Sequence, residues 1–349
     1  VRSRRQRQMC IRDRHITIKD VAKKLNVSIS SVSRAFNDKY DIKKETKELI
    51  LKTAKEMGYH PNPIAKKLSQ KKTFNIGVVV PEFINEYYSE IIIAIQELLI
   101  KNGYQVLITQ SDEKPEQELL NVKTLMQNMV DGLIIAPTSE DDNMDFYLKQ
   151  YRRGYPIVFM SRISEHLDAS KVLFNNKKWS FFAAEHLINQ GFEKIYHLSG
   201  YKKSTVARDR IAGFNRALEK HNFPKENTKT FECGIFVEEG IKIIDKLLEQ
   251  NDLPQAFFCA NDHIALGVIK NLKEKGFNVP NDIAVTGFTE TRMAELISPK
   301  LTSVKQPTYE MGRKAAELLL KNLNDENSPT ETIILNGDLN IRESSIKNN

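Results

Sequence analysis

Cysteine is scarce in this chain of 349 residues, which contains only Cys10, Cys233 and Cys259. Three widely separated cysteines give neither a disulfide framework nor the close ligand spacing of a zinc site. The seven histidines do not form a His-x-x-x-His pair either. The composition therefore predicts a cytoplasmic protein that holds no metal and needs no cofactor.

Long apolar runs are also missing. The most hydrophobic stretch, residues 91–100, is interrupted by Gln96 and Glu97. It is far shorter than the roughly 18 residues of a membrane span. The basic N-terminus is not followed by the apolar segment of a secretory signal peptide. We therefore expect neither a membrane-spanning segment nor a secretory signal.

Three catalytic sequence motifs are absent as well. The first predicted strand is not followed by Gly-x-Gly-x-x-Gly. The chain has neither a Gly-x-x-x-x-Gly-Lys-Ser/Thr phosphate loop nor a Gly-x-Ser-x-Gly nucleophile elbow. His186 and His197 fall in a predicted helix and a predicted strand, so we expect them to pack rather than to catalyse. These observations disfavour an enzyme.

Positive charge is present, and it is concentrated at one end. Residues 1–72 contain 20 Lys and Arg against 7 Asp and Glu, whereas the rest of the chain contains 32 against 38. Residues 1–14 show no helix or strand periodicity, and we interpret them as a disordered arm or a wrongly assigned start. Without them, residues 15–72 still carry an excess of eight positive charges. This segment predicts a polyanionic partner, with nucleic acid favoured over an anionic membrane surface.

The basic segment has the sequence pattern of a helix-turn-helix. Thr17 followed by Asp20 is a capping-box pair that predicts the start of a helix. The apolar stripe of that helix is Ile18, Val21, Ala22 and Leu25. After a short break, Ser28 can cap a second helix that runs to about Phe36. Two short helices joined by such a turn form the helix-turn-helix unit.

A third helix is predicted over residues 44–57, and Gly58 is placed to terminate it. Its predicted inner face is Leu49, Ile50, Ala54 and Met57. The outward side chains of the second helix are small or carry hydrogen-bond donors, which suits a helix in the DNA major groove. They are Ile29, Ser30, Ser33 and Arg34. A small helical bundle with a solvated, serine-rich face is the alternative.

Two segments resemble a known family of regulators. Residues 17–37, TIKDVAKKLNVSISSVSRAFN, resemble the DNA-binding head of the lactose/galactose repressor (LacI/GalR) family, and residues 58–68, GYHPNPIAKKL, resemble its hinge. In that hinge a short helix from each subunit lies in the minor groove and inserts a leucine, here Leu68, at the central base step. An ordinary amphipathic contact in a solvated linker is the alternative for Leu68. The DNA contacts implied by the resemblance are Thr17, Ile18, Ser28, Ile29, Ser30, Ser33, Arg34, Asn37, Asn62, Ala65 and Leu68.

The rest of the chain alternates short apolar runs with helical patterns, which predicts an α/β body of parallel sheets covered by helices. Strands are predicted at residues 75–80, 105–109, 132–136, 157–160, 172–174, 194–198, 228–233, 256–259 and 283–287. Helices are predicted at residues 85–102, 116–129, 177–190, 205–221, 236–249 and 261–275. Because the spacing restarts after about residue 175, we expect two similar lobes with a ligand cleft between them.

Five phrases of the body resemble landmarks of the same family in the same order. They are RIAGF (210–214), NDHIALG (261–267), VPNDIAVTGF (279–288), LTSVKQP (301–307) and LNIRES (339–344). The resemblance covers nearly the whole chain and implies a two-lobed, periplasmic-binding-protein-like body whose cleft holds a sugar or another small metabolite. The effector contacts that it implies are Tyr87, Tyr88, Ser161, Arg162, Arg210, Asn261 and Thr289.

These residue types suit ligand binding, but each also has a structural interpretation. Arg210 offers a planar fork of donors to hydroxyls or carboxylates, and a structural pair is the alternative. Tyr87 could belong to the core, and Asp262 is better explained as a helix cap. Where the family commonly has aspartate, this chain has Thr289 and Asn175. We therefore expect a ligand with fewer hydroxyl donors at that end, or one that carries its own negative charge.

The sequence thus predicts a helix-turn-helix domain at residues 15–60, a hinge at 61–72 and a two-lobed effector-binding and dimerisation domain at 73–349. We expect a homodimeric transcription regulator that binds a palindromic operator in double-stranded DNA and is switched allosterically by a small, sugar-like effector. The alternative is a small-molecule-binding protein of the periplasmic type that does not regulate transcription.

Overall fold

The structure is a computed structural model that describes residues 16–36, 42–59, 72–83, 86–139, 141–164, 166–325 and 327–347. The chain divides into two compact units, Val1–Thr73 and Phe74–Asn349. Residues 1–14 and most of the predicted hinge lie outside the described residues, as do Asn37, Asn62, Ala65 and Leu68. Among the described residues, none of the helices combines the length and the hydrophobicity of a transmembrane segment.

The first unit contains the three predicted helices: α1 (Ile18–Leu25), α2 (Ile29–Phe36) and α3 (Lys44–Glu56). One apolar residue from each helix is fully buried at their centre, namely Val21, Val32 and Ile50. Three alanines complete this small core and allow the helices to approach closely: Ala22, Ala35 and Ala54. The arrangement is the predicted helix-turn-helix with a supporting third helix.

Local hydrogen bonds set the ends of these helices. The Asp20 carboxylate accepts from both the backbone N–H and the hydroxyl of Thr17, at 2.9 and 2.7 Å, which fixes the start of α1. The Ser28 hydroxyl accepts from the backbone N–H of Ser31 at 3.0 Å and caps α2. Gly58 follows α3 with a φ of 69°, a left-handed conformation that glycine adopts without strain.

The predicted inner face of α3 is wrong at one position. Leu49 is 55% exposed, whereas its neighbour Ile50 is fully buried. Adjacent residues on a helix point about 100° apart, so a narrow three-helix core accepts only one of them. The buried positions of α3 are Ile50, Thr53 and Ala54, spaced three and four residues apart as for a single face.

The second unit begins with lobe 1. Its strands are β1 (Asn75–Val80), β2 (Gln105–Gln110), β3 (Gly132–Ile135), β4 (Ile157–Met160), β5 (Lys171–Phe174) and β11 (Thr332–Leu335). They form a parallel sheet in the order β11-β5-β4-β3-β1-β2. Its helices are α4 (Glu86–Lys101), α5 (Pro115–Gln127), α6 (Met144–Tyr151) and α12 (Thr308–Asn324).

Lobe 2 repeats the same plan. Its strands are β6 (Ile195–Leu198), β7 (Thr228–Phe231), β8 (Ala256–Cys259), β9 (Ala284–Phe288), β10 (Thr302–Lys305) and β12 (Asp338–Asn340). The sheet order is β12-β10-β9-β8-β6-β7, and only the β10–β12 pair is antiparallel. Its helices are α7 (Asn176–Asn189), α8 (Thr205–Lys220), α9 (Val237–Glu249), α10 (Asp262–Glu274) and α11 (Met293–Leu296).

The described chain passes between the lobes after β5, between β10 and α12, and between β11 and β12. Helix α12 therefore belongs to lobe 1, where it packs against α4. A Cβ at Gly312 of α12 would lie 2.2 Å from the Ile91 carbonyl oxygen, so only glycine permits this close approach. The sequence pattern predicts two lobes correctly but does not predict β10, β11, β12, α6, α11 or α12.

Candidate effector cleft and DNA-binding head

A cavity of about 910 Å³ lies between the two lobes of the second unit. All seven residues that the sequence predicts as effector contacts line it. Lobe 1 contributes Tyr87, Tyr88, Ser161 and Arg162, and lobe 2 contributes Arg210, Asn261 and Thr289. The cavity is within the size range of small-molecule sites.

The wall from lobe 1 contains two hydroxyls beside an aromatic pair. The Tyr87 and Tyr88 rings meet edge to face, with centroids 4.9 Å apart. The Tyr87 hydroxyl donates to the Ser161 hydroxyl at 3.4 Å, a long bond that a ligand could replace. Burial raises the pKa of the Tyr87 hydroxyl, while the bond to Ser161 and the charges of Arg210 and Arg162 lower it. Tyr87 is therefore a neutral donor at physiological pH.

Arg162 forms an ion pair with a carboxylate of the same lobe, Glu113. Its two terminal nitrogens donate to the two carboxylate oxygens of Glu113, at 2.5 and 2.7 Å. The Arg162 side chain is only 14% exposed, so this fork-to-fork pair compensates a largely desolvated charge.

Arg210 of α8 is the corresponding cation of lobe 2. The residue is 6% exposed, and its guanidinium stacks 3.8 Å from the centroid of the Phe288 ring. Its Nε donates to Asn176 Oδ1 at 3.0 Å and its Nη2 to Thr289 Oγ1 at 3.3 Å, while its Nη1 donates to the Ala260 carbonyl. Burial lowers the pKa of Arg210 to about 9, so it remains charged at neutral pH.

Asn261 is held largely by its own lobe. Its Oδ1 accepts from the backbone N–H of Ile264 at 2.8 Å, the expected cap of α10, and its Nδ2 donates to the Ile235 carbonyl at 2.8 Å. The next residue, Asp262, is fully buried and accepts from Ser303 at 2.5 Å and from the backbone N–H of Thr291 at 2.9 Å. Asp262 is therefore a structural residue that ties α10 to the ends of β9 and β10.

In the first unit, the predicted base-reading side of α2 is accessible. Ile29 is 45% exposed, and Ser28, Ser30 and Arg34 are also exposed. Thr17, Ile18 and Ser33 are half-buried. The Ser28 hydroxyl lies 2.7 Å from the Ser30 hydroxyl and 2.8 Å from the Ser31 hydroxyl, so the start of α2 presents a cluster of hydroxyl groups.

Comparison with known proteins identifies the family to which the chain belongs. Residues 17–62 match the family described as bacterial regulatory proteins, lacI family, and residues 184–345 match the periplasmic binding protein-like domain. Catabolite control protein A of Priestia megaterium is 31% identical over 332 residues, which cover 95% of this chain and 99% of that protein. The chain belongs to the lacI family.

Two further lacI-family proteins are similar over nearly their whole lengths. The HTH-type transcriptional repressor PurR of Mannheimia succiniciproducens is 32% identical over 94% of this chain and 98% of its own. The crystal structure of the lac repressor dimer bound to operator and the anti-inducer ONPF superimposes with a TM-score of 0.84 at 26% identity. That match covers 95% of this chain and 100% of the lac repressor chain. The curated relatives are transcriptional regulators rather than enzymes.

Several residues of this lacI-family cleft were not predicted as contacts. Glu113 follows β2, and the end of a parallel strand is a position where a site residue could have been expected. Asn176 follows Asn175, and Gln306 lies inside the phrase at 301–307, but their contacts with Arg210 and Thr289 depend on long-range packing. His186 and His197 are buried, as expected.

Proposed function

We propose that this lacI-family protein binds a palindromic DNA operator as a homodimer through residues 15–60 and the hinge at 61–72. We further propose that a small metabolite, a sugar or a sugar derivative, binds in the cleft of residues 73–349 and switches DNA binding. On this proposal the protein is a cytoplasmic regulator without enzymatic activity. The observation that carries the proposal is the cavity walled by both lobes.

A ligand in this cavity can act as a switch because it contacts both lobes. Tyr87 and Ser161 approach from lobe 1 while Arg210 and Thr289 approach from lobe 2, so a ligand that binds both walls favours a closed body. Its effect on DNA binding is limited to the difference between its affinities for the two states. Ligand binding and DNA binding must then be coupled reciprocally.

Exposed apolar side chains of the second unit are consistent with a subunit interface. Large apolar side chains that are between 37% and 76% exposed in the described part of this unit include Ile93, Ile100, Leu107, Leu120, Met129 and Leu296. We propose that part of this surface is covered in the homodimer.

The test is a DNA-binding assay on the purified chain, first with random-sequence DNA and then with operators selected from a random pool. We expect a selected palindrome, tighter binding to it than to random DNA, and affinity that falls steeply with salt. An Ile29/Ser30 double alanine variant should select a different consensus, because these side chains lie on the exposed face of α2. If the variant selects the same consensus as the wild type, Ile29 and Ser30 do not read bases. If the wild type does not bind DNA even at low salt, a protein that binds only small molecules is favoured.

The hinge supplies a second test. Leu68→Ala should weaken binding to the selected operator much more than binding to random DNA, because only the specific complex requires the bent duplex. Equal losses on both DNAs at one salt concentration would refute the leucine insertion.

A further inference from the structure

The Arg210 guanidinium is a buried charge whose direct contacts are all with neutral groups. Its partners among the described residues are an amide oxygen, a backbone carbonyl, a hydroxyl and the face of Phe288. A guanidinium has five N–H groups, and these contacts use three of them. The two that remain are one on each terminal nitrogen, a pair that suits the two oxygens of a carboxylate or a phosphate.

Two acidic side chains that line the cavity, Asp209 and Glu113, form their ion pairs with residues other than Arg210. Asp209 lies next to it in the chain but is paired with Lys177 at 3.4 Å. Glu113 is occupied by Arg162 through both of its oxygens. A buried ion normally needs a partner of opposite charge in direct contact. Arg162 has such a partner in Glu113, whereas the direct contacts of Arg210 include none.

The two arginine charges also act on each other and on Tyr87 across the cleft. Burial has the largest effect on the pKa of Arg210 and lowers it; the charge of Arg162 on lobe 1 also lowers this pKa, while Tyr87, Asp209 and Tyr88 raise it. Both guanidinium charges also lower the pKa of the Tyr87 hydroxyl, which otherwise rises through burial. The space between Arg210, Tyr87 and Ser161 is therefore rich in hydrogen-bond donors.

We infer that the effector carries an anionic group, a carboxylate or a phosphate, that binds to the free N–H pair of Arg210, while its uncharged part faces Tyr87 and Ser161. This inference rests on the proposed effector role of the cleft and specifies the class of its ligand. The anion would neutralise the buried guanidinium and link the two lobes. A sugar acid or a sugar phosphate has this chemistry, whereas a neutral sugar does not.

The first experiment compares charged and neutral probes of the same shape by isothermal titration calorimetry. The probes are glucuronate against glucose, galacturonate against galactose, glucose 6-phosphate, and inorganic phosphate at constant ionic strength. We expect at least one anionic probe to bind at least tenfold more tightly than its neutral partner. Tighter binding of the neutral sugars, or binding of neither the acids nor phosphate, would overturn the inference.

The second experiment changes one charge beside Arg210. Thr289→Asp places a carboxylate next to Nη2, so it should compete with the ligand and weaken anion binding at least tenfold. Thr289→Asn is the matched control: it has the same shape without the charge, and both Asn and Asp tolerate the left-handed φ of 61° at this position. Equal anion affinity of the Asp and Asn variants would also overturn the inference.

Two further controls separate this inference from the proposed function. Lys202→Gln removes one positive charge from an exposed position outside the lining of the cavity, so it reports any non-specific effect of net charge. Operator binding is measured in parallel with every probe. A DNA-binding response to neutral sugars alone would refute the anionic ligand and leave the regulator intact, whereas a failure to bind DNA would refute the regulator itself.

Discussion

Both lobes of the second unit present an arginine with little solvent exposure to the same cavity, but the two arginines have different partners. Lobe 1 pairs Arg162 with Glu113 through two hydrogen bonds, whereas lobe 2 surrounds Arg210 with neutral acceptors and the Phe288 ring. The lobes have the same number of strands and nearly the same strand order. The comparison shows that a repeated backbone can hold two arginines in different ways, one paired with a carboxylate and one in direct contact only with neutral groups.

Removing the uncompensated arginine should produce the largest effect. Arg210→Ala deletes charge-assisted hydrogen bonds to the ligand, so we expect ligand affinity to fall about 100-fold, or about 3 kcal/mol. Ligand-free DNA affinity should stay within a few-fold, since Arg210 lies in the second unit. Calorimetry and operator binding with and without ligand measure the two quantities. A lost ligand response together with an equal loss of ligand-free DNA binding would indicate general damage instead.

Removing the counter-ion of lobe 1 should make that lobe resemble lobe 2. Glu113→Gln leaves the Arg162 guanidinium without a carboxylate, and we expect the free energy of unfolding to fall by about 2 kcal/mol. Urea unfolding measures this change, and Glu116→Gln, an exposed position close in sequence, is the control. Equal stability of the two variants would mean that the Arg162–Glu113 pair contributes no more than a surface pair.

The buried acid of lobe 2 predicts a dependence of stability on pH. Burial raises the pKa of Asp262 to about 7, above its unfolded value of 3.8, so the folded state retains the proton over this interval. The stabilisation is complete below the unfolded pKa and is lost as the pH rises through the folded pKa. The stability of the wild type relative to Asp262→Asn should therefore fall by about 1 kcal/mol between pH 6 and pH 7. A constant difference between the two proteins would contradict the raised pKa.

The smallest effect concerns backbone strain shared by both lobes. Ser161 follows β4 with a φ of 58°, and Thr289 follows β9 with a φ of 61°, so equivalent strand ends are left-handed at residues other than glycine. Ser161→Gly should change stability by a few tenths of a kcal/mol, since relief of strain is offset by greater chain entropy. Ser161→Ala, which keeps the strain, should be the less stable of the two. If thermal unfolding shows that Ser161→Ala is the more stable variant, the left-handed backbone at residue 161 is not strained.

The sequence is sufficient to predict elements whose pattern is local. The helix-turn-helix follows from the Thr17–Asp20 cap and one apolar stripe, and the nine predicted strands correspond to β1 to β9. Strand β12 has three residues on an antiparallel edge, too few to show a period. The partners of Arg210 could not be inferred either, because Asn176, Ala260 and Thr289 are 34, 50 and 79 positions away in the chain.

The return of α12 and β11 to lobe 1 has a consequence for biosynthesis. As the chain leaves the ribosome, strand β5 has no β11 to pair with, and α4 lacks the helix that covers it through the contact at Gly312. Lobe 1 is thus completed only after every helix of lobe 2 has been translated. The three-helix head has no such dependence and can fold early, since domains fold as units during synthesis. We therefore expect that a nascent chain stalled before residue 308 has a folded head, whereas its lobe 1 is incompletely folded and still binds chaperones.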